Sequence, residues 1–141
     1  MPSQSDLHLH STISDGRLTP TQLIELAYKN GVRRMALTDH DIIDGLPEAF
    51  ETAARLPGLT LIPGIEMSTD VPGNEVHILG HFIDWQNESF RERLKVLQES
   101  RLGRAHKMVD RLVELGMPIT WDSVQSFADG AVGRPHIALA L

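Results

Sequence analysis

The sequence contains no cysteine, which excludes disulfide bonds and thiolate-bound zinc. Any metal ion must therefore be held by imidazole nitrogen and carboxylate oxygen. No apolar run reaches the roughly 18 residues that a membrane span requires, and the first residues show no basic segment followed by an apolar one. The sequence therefore predicts no membrane partner, and we expect a cytoplasmic location.

Positive charge is also scarce, with 13 Lys and Arg against 19 Asp and Glu and a formal net charge of −6. A broad basic surface for nucleic acid is not expected, because such binding depends on cations that neutralise phosphates. A phosphate-bearing ligand would need help, and divalent cations in a cleft could supply it. The unusual feature of the 141 residues is seven histidines, in a chain hydrophobic enough (41%) for one compact domain.

The order of apolar patterns predicts an α/β fold. Strands are predicted near residues 6–10, 34–38, 59–63 and 75–83, and helices over about 19–30 and 46–56, which is typical of βα units and a largely parallel sheet. The first helix has a clear start at Thr19 and Pro20 and a stop at Gly31. After residue 83 the pattern becomes that of an amphipathic helix over 88–115, with shorter helices near 121–128 and 135–141. The last third is therefore predicted to be a helical module.

The pair His8 and His10 is the first candidate for chemistry. Residues two apart in a strand point to the same face, so the pair is either half of a metal site or two polar residues on a half-exposed face. Asp15 follows in an Asp-Gly pair that can place a carboxylate over the strand end or form a simple turn. The sequence alone leaves both alternatives open.

Ionisable residues also follow the next strands. His40 lies between Asp39 and Asp41 just after a buried strand, where βα loops gather ligands in α/β folds, although the two carboxylates could equally cap a helix or be solvated. Glu66 follows the third apolar run, where an unpaired carboxylate would be costly and a cation is expected. His77 repeats this pattern in the fourth strand.

Two further histidines are not expected to bind metal. His81 is expected to have a structural or surface role, and His106 to lie on a solvated helix face. Five successive elements nevertheless deliver imidazole or carboxylate ligands, a donor set that suits Zn, Mn or Fe and a site with two or more ions.

The motifs occur in a recognisable order: Asp6-Leu-His-Leu-His10-Ser, Ser14-Asp-Gly16, Thr38-Asp-His-Asp41, Pro63-Gly-Ile-Glu-Met-Ser68, Val76-His-Ile-Leu-Gly80 and Gly133-Arg-Pro-His-Ile-Ala138. This series resembles the PHP family, named for polymerase and histidinol phosphatase. It is most similar to the bacterial branch of small phosphoesterases that act on nucleoside 3′,5′-bisphosphates and trim RNA from the 5′ end. The resemblance implies a partial, distorted seven-stranded β/α barrel over residues 1–84 and a helical insertion over 85–141.

The resemblance also implies roles for single residues. His8, His10 and Glu66 would bind one ion, Asp15 and His40 would help bind a second, and Glu66 and His77 would serve a third. Two or three divalent ions are therefore expected, with manganese favoured and zinc or iron as alternatives.

Arg101, Arg104, Arg134 and His136 resemble positions that hold substrate phosphate, a task that suits the planar fork of Arg. For Arg101 and Arg104, a solvated helix face is the alternative, whereas Gly133 and Pro135 fix the backbone of Arg134.

The sequence departs from the family pattern at its end. The late His-Pro and Asp-x-His motifs of the family are missing, so the chain is expected to be a truncated form or a fragment without the last barrel strands. The predicted function is a metal-dependent phosphoesterase acting on a small phosphorylated substrate, a nucleotide or short RNA. The alternatives are a non-catalytic metal-binding module, like those attached to some DNA polymerases, and a phosphatase for histidinol phosphate.

Overall fold

A computed structural model describes residues 4–71, 74–128 and 130–141. Its elements in chain order are β1 (Ser5–Leu9), α1 (Pro20–Lys29), β2 (Arg34–Leu37), α2 (Leu46–Ala54), β3 (Thr60–Val71), β4 (Asn74–His81), α3 (Glu88–Glu114), α4 (Trp121–Gln125) and α5 (Arg134–Ala140). The α/β class predicted from the sequence is confirmed, and every described element begins close to its predicted position.

The strands form one sheet in the order β1-β2-β3-β4. The first three are parallel, as expected, but β4 runs antiparallel to β3, and β3 extends to Val71 rather than ending near residue 63. The extension is possible because the backbone of Glu66 pairs with that of Leu79 in β4. Successive side chains of a strand alternate between faces, so Ile65 packs into the core while Glu66 turns to the opposite face.

The helices begin where the sequence signals predict. Thr19 caps α1: its side chain accepts the backbone N–H of Gln22, and the Gln22 side chain accepts the backbone N–H of Thr19. Just past the C-cap Asn30, Gly31 has a φ of +91°, a conformation that glycine adopts without a steric penalty. These two signals fix the length of α1 and thus the position of β2, which ends at the site.

Two hydrophobic clusters stabilise the fold. One lies under the sheet and includes Met35, Leu37 and Ile65, together with Leu94 from α3. The second joins α3, α4 and α5 through Ala105, Val109, Ile119, Val124 and Ile137. Because α3 contributes to both clusters, it links the sheet to the helical segment, and the predicted boundary at residues 84 and 85 stays a prediction.

α3 is the longest helix, with 27 residues, and Asn87 caps its start by accepting the backbone N–H of Phe90. Charged residues interrupt its apolar positions throughout. Within the described ranges, no helix is long and apolar enough to cross a membrane.

Candidate metal centre

The two histidines at the end of β1 converge on one carboxylate oxygen. His8 Nε2 and His10 Nε2 each lie 2.8 Å from Oε2 of Glu66, and their ring centroids are 5.0 Å apart. The His8 side chain is 50% exposed, whereas that of His10 is 16% exposed, so the site opens toward solvent on the His8 side. These contacts confirm that His8 and His10 lie on the same face of the strand, as their spacing predicted.

The loop after β1 places Asp15 against the other side of His10. Asp15 Oδ1 lies 2.9 Å from His10 Nδ1, so both ring nitrogens of His10 face carboxylates. The close turn requires Gly16, because a Cβ at that position would lie 2.2 Å from the backbone oxygen of His10. The Asp-Gly pair therefore forms a turn and also delivers a carboxylate to the site.

Asp39 holds this loop in place. Its carboxylate accepts hydrogen bonds from the backbone N–H and the hydroxyl of Ser11 and from the hydroxyl of Ser14, at 2.6–2.7 Å. Asp39 is 2% exposed. It therefore neither caps a helix nor faces solvent, the two alternatives considered from the sequence, but anchors the loop that carries Asp15.

His40 follows β2 and is only 7% exposed. Its Nε2 lies 3.7 Å from Asp15 Oδ2 and 3.6 Å from Glu66 Oε2, which is too long for good hydrogen bonds. Its Nδ1 is buried with no hydrogen-bond partner among the described residues. Burying an imidazole with such poor hydrogen bonds costs folding free energy unless its nitrogens bind another group, such as a metal ion.

Glu66 is the centre of the arrangement. It is 5% exposed, and its second oxygen, Oε1, lies 3.0 Å from His77 Nδ1 in β4. Three groups of potential ligand atoms result, each with all its atoms within 4.8 Å of one another: His8, His10 and Glu66; His10, Asp15 and His40; and His40, Glu66 and His77. The structure thus brings together all six residues expected to bind metal.

The electrostatics of the cluster favour charged carboxylates and a neutral His40. The hydrogen bond with His10 lowers the pKa of Asp15 to about 2. Burial alone would raise the pKa of Glu66, but contact with His8 and the charges of the neighbouring imidazoles lower it. Burial lowers the pKa of His40, because desolvation disfavours its imidazolium form. These protonation states are the ones that metal ligands require.

The pKa values of His10 and Asp39 are raised, in contrast to the lowered values of His40, Asp15 and Glu66. Burial alone would lower the pKa of His10, but the hydrogen bond and charge of Asp15, together with the charge of Glu66, raise it. Burial raises the pKa of Asp39 despite its bonds to Ser14 and Ser11. The raised pKa favours the imidazolium form of His10, whose two N–H groups would face Asp15 and Glu66, and a cation would compete for the same place.

The donor set fits divalent metal ions. Ligand atoms bound at 2.0–2.2 Å to one ion lie at most about 4.4 Å apart, close to the spread of each group. Imidazole and carboxylate ligands suit Mn, Zn and Fe. Glu66 is shared by two of the ligand groups, and it directs one oxygen toward His10 and the other toward His77. The unsatisfied Nδ1 and long Nε2 contacts of His40 support the same assignment. This part of the chain can bind metal, while the identity of the metal stays a prediction.

A cavity of about 490 Å³ adjoins the cluster, and its lining includes Asp15, His40 and His77 together with Arg101, Arg104 and Arg134. The expected phosphate-binding arginines thus line the same space as the expected metal ligands. The cavity therefore combines cations that suit a phosphate group with the candidate metal cluster.

Arg101 does not lie on a solvated helix face, the alternative considered from the sequence. Its side chain is 14% exposed, and its Nη1 donates to Asp41 Oδ2 at 2.7 Å and to Ser68 Oγ at 3.0 Å. Asp41 also accepts the backbone N–H of Ser68. Asp41 is 2% exposed, so it is not solvated, one of the two alternatives considered from the sequence, but holds Arg101 and Ser68 together. No role was predicted for Ser68.

His136 is placed differently from Arg134. Its side chain is buried, and its Nδ1 accepts the backbone N–H of Gly133 at the start of α5. Among the described residues lining the cavity, Arg134 occurs but His136 does not. The structure thus gives His136 a capping role, which its position three residues after Gly133 could have indicated, and a phosphate-binding role for it stays a prediction.

The remaining histidines lie outside the cluster. His81 Nε2 donates to the backbone oxygen of Leu7, which agrees with the structural role expected for it. His106 is exposed on α3 and stacks on Trp121, with 3.6 Å between the ring centroids. Neither ring belongs to the groups of candidate metal ligands found among the described residues.

Comparison with known proteins identifies relatives of this arrangement. The chain is 42% identical over 138 residues to a 5′-3′ exoribonuclease of Haemophilus influenzae, covering 98% of this chain and 50% of the relative. It is 38% identical over 135 residues to a 3′,5′-nucleoside bisphosphate phosphatase of Chromobacterium violaceum, covering 94% and 47%. The chain therefore spans about half the length of these curated relatives.

The fold is shared with solved structures. A Bifidobacterium adolescentis protein assigned as a metal-dependent phosphoesterase superposes with a TM-score of 0.88 at 37% identity, over 99% of this chain and 50% of that one. The α/β sheet and helices described above therefore correspond to part of that larger fold. The family model described as PHP domain matches residues 6–109 of this chain, a range that includes all six candidate ligands. The chain therefore belongs to the PHP family.

Proposed function

We propose that the protein containing this chain is a metal-dependent phosphoesterase that hydrolyses nucleotide phosphate esters, either nucleoside 3′,5′-bisphosphates or the 5′ ends of short RNA. The observation that carries the proposal is the convergence of three imidazoles on Oε2 of Glu66, next to a cavity lined by arginines. A ligand in this cavity would lie between ligands of the candidate metal cluster and arginine side chains. That combination suits a phosphate ester better than a neutral or cationic substrate.

The three ligand groups would hold two or three divalent ions, and we favour manganese. When bound, such ions supply Lewis acidity, orient the phosphate and lower the pKa of water so that hydroxide forms near neutral pH. The chain's own contribution is preorganisation. Asp39 fixes the loop of Asp15, and the pairing of β3 with β4 sets Glu66 beside His77. The ligands therefore need little rearrangement to bind.

The arginines would bind the substrate phosphate. A planar guanidinium can donate two hydrogen bonds to phosphate oxygens, and it stabilises the negative charge that develops during hydrolysis. Asp41 and Ser68 hold the guanidinium of Arg101 at the cavity wall. Since the chain has a net charge of −6, this local group of cations is what makes the cavity suitable for an anion.

The relatives support a nucleotide substrate. The two curated relatives are named for RNA and for nucleoside bisphosphate, and both align along nearly the whole chain. We extend this substrate class to the full-length protein as a proposal, with histidinol phosphate as the competing substrate to be measured beside it.

The test is a turnover assay of the full-length protein with Mn²⁺ and adenosine 3′,5′-bisphosphate. The double variant His8→Ala, His10→Ala should lose bound metal and at least about a thousandfold in kcat/KM, because two of the three ligand groups are broken. His106→Ala serves as the matched control, since this imidazole lies outside the cluster, and it should retain metal and activity.

Metal content is measured in the same samples by elemental analysis. Unchanged metal content and turnover in the His8, His10 double variant would refute the proposal. Faster turnover of histidinol phosphate than of the nucleotide would retain the chemistry but replace the substrate.

A further inference from the structure

Strand β1 has one residue more than β2 in the stretch that leads to the histidine pair. Asp6 lies opposite Met35, and Leu9 lies opposite Leu37, so three steps along β1 match two steps along β2. An extra residue of this kind is a β-bulge, a feature that redirects the side chains of a strand and is common next to active sites. The residues between the two paired positions form the bulge, and they are Leu7 and His8.

The bulge decides which face of the sheet the two histidines occupy. Leu37 points into the hydrophobic cluster under the sheet, and residues directly opposite each other on neighbouring strands share a face. If the regular pairing that precedes the bulge continued, His8 would lie opposite Leu37 and would face this cluster, together with His10. The extra residue places Leu9 there instead, and Leu9 packs against the cluster. A shift by one residue thus turns both imidazoles to the face of Glu66.

Two side chains bond to the backbone of the bulge. His81 Nε2, at the end of β4, donates to the backbone oxygen of Leu7 at 2.8 Å, and Asp6 Oδ1 accepts the backbone N–H of His8 at 3.3 Å. Such contacts replace regular strand hydrogen bonds, which a bulge disrupts. Packing does not fix the orientation of His8, because its side chain is 50% exposed. The position of this imidazole therefore depends on the backbone that the two contacts hold.

We propose that His81 is a positioning residue of the candidate metal centre, which acts with Asp6 to hold the bulge. The bulge in turn directs His8 and His10 toward Glu66. The inference rests on the proposed metal-dependent function, but it concerns the position of the ligands rather than the reaction. His81 is in none of the groups of candidate ligands that the described residues form, so it acts through the strand backbone. A contact that orients a metal ligand without touching the ion typically contributes about 10- to 100-fold to metal affinity.

The test measures the Mn²⁺ affinity of the metal-free, full-length protein by isothermal titration calorimetry. His81→Leu removes the donor and should weaken Mn²⁺ binding by about tenfold. His81→Gln retains an N–H donor of similar reach, and its affinity should stay within about threefold of the wild-type value. His106→Leu is the matched control, because it makes the same change at an imidazole outside the cluster and should leave Mn²⁺ affinity unchanged.

Wild-type Mn²⁺ affinity in His81→Leu, or equal losses in the two leucine variants, would overturn the inference. A glutamine variant as weak as His81→Leu would overturn it as well, because the donor would then not matter.

A deletion separates the bulge from a general effect of His81 on stability. Removing Leu7 shortens β1 by one residue, so that His8 takes the place opposite Ala36 and the residues after it keep their partners. The histidine pair then faces the site without a bulge, and His81→Leu in this background should change Mn²⁺ affinity by less than about twofold. An equal loss with and without Leu7 would show that His81 acts by another route and would contradict the inference.

Nitrogen NMR shifts of the imidazoles separate this inference from the proposed function. In the metal-free protein the shifts of His8 and His10 report their contacts with Glu66, and they should change in His81→Leu but not in His106→Leu. If the wild type hydrolyses no phosphate ester or binds no metal, the proposed function fails, yet altered shifts restricted to His81→Leu still support the role of the bulge. Unchanged shifts in His81→Leu refute the inference whatever the activity.

Discussion

The strand-end region up to residue 84 and the helical region after it contribute opposite charges to the same cavity. The first supplies imidazoles and carboxylates, all positioned by strand pairing and short loops. The second supplies arginines, of which Arg101 is held by an ion pair to Asp41 and by hydrogen bonds to Ser68 Oγ and to the backbone oxygen of Val132. The comparison indicates that the metal ligands are organised by the backbone, whereas the phosphate-binding side depends on a few side-chain contacts across the two regions.

The largest effect is expected from Glu66→Gln. This nearly isosteric change removes the charge that two ligand groups share, so metal content should fall and kcat/KM should drop by at least about a thousandfold. Elemental analysis and turnover measure the two effects, and circular dichroism checks that the fold is retained. A Glu66→Gln protein with normal metal content would show that the strand-end region does not bind metal through this carboxylate.

A smaller but still large effect is expected from Asp41→Asn, which breaks the link between the two regions. Removing one partner of a buried ion pair leaves the Arg101 guanidinium without its counter-charge, and about 3 kcal/mol of unfolding free energy should be lost. Because Arg101 also loses its position, kcat/KM should fall by about 10- to 100-fold, mainly through KM. Metal content should remain normal, unlike in Glu66→Gln.

Urea denaturation of Asp41→Asn, Arg101→Met and the double variant measures how strongly the two residues are coupled. A coupling energy of about 1–3 kcal/mol is expected, since the residues are in direct contact. Additive losses would mean that Asp41 does not position Arg101.

Local signals were sufficient to predict most of the fold from the sequence. Thr19 with Pro20 marked the start of α1, Gly31 its end, and the apolar runs located the strands. The antiparallel direction of β4 was not predictable in the same way, because it depends on which strand pairs with the extension of β3. Element positions are therefore encoded locally, whereas strand direction is decided by tertiary pairing.

The candidate site was predicted to a similar degree. The six expected ligands share one environment: His8, His10, Asp15 and His40 lie in or just after the parallel strands β1 and β2, whereas Glu66 and His77 lie within the antiparallel pair β3 and β4. The supporting contacts were not predictable, because Asp41 meets Arg101 sixty residues away and Asp39 meets Ser11 and Ser14. Sequence motifs identify residues that can bind a metal ion, but they do not show which carboxylates instead hold neighbouring residues in place.

A moderate effect is expected from Gly133→Ala in the helical region. The new Cβ would lie 2.9 Å from Nη2 of Arg101, whose guanidinium cannot move freely because Asp41 and Ser68 hold it. A displacement of a few tenths of an ångström should lower kcat/KM by about three- to tenfold. Gly103→Ala is the control: its Cβ would meet no atom within 4 Å, and this helical position should gain about 0.5–1 kcal/mol in stability with unchanged kinetics. Equal kinetics for both variants would contradict the close contact at Gly133.

The smallest effect on activity is expected from the helix caps, which test whether local stability in either region affects the site. Thr19→Ala removes the side chain that accepts the Gln22 N–H and should cost about 1 kcal/mol of unfolding free energy, measured by urea denaturation. Thr120→Ala removes the equivalent cap of α4 in the helical region, and Thr19→Ser should restore most of the loss at the first position. Neither alanine variant should change kcat/KM by more than about twofold, because neither threonine contacts the cavity or its supports. A selective loss of activity in Thr120→Ala would show that the helical region transmits small changes to the arginines. Its side of the cavity would then be less rigid than the contacts of Arg101 with Asp41, Ser68 and Val132 suggest.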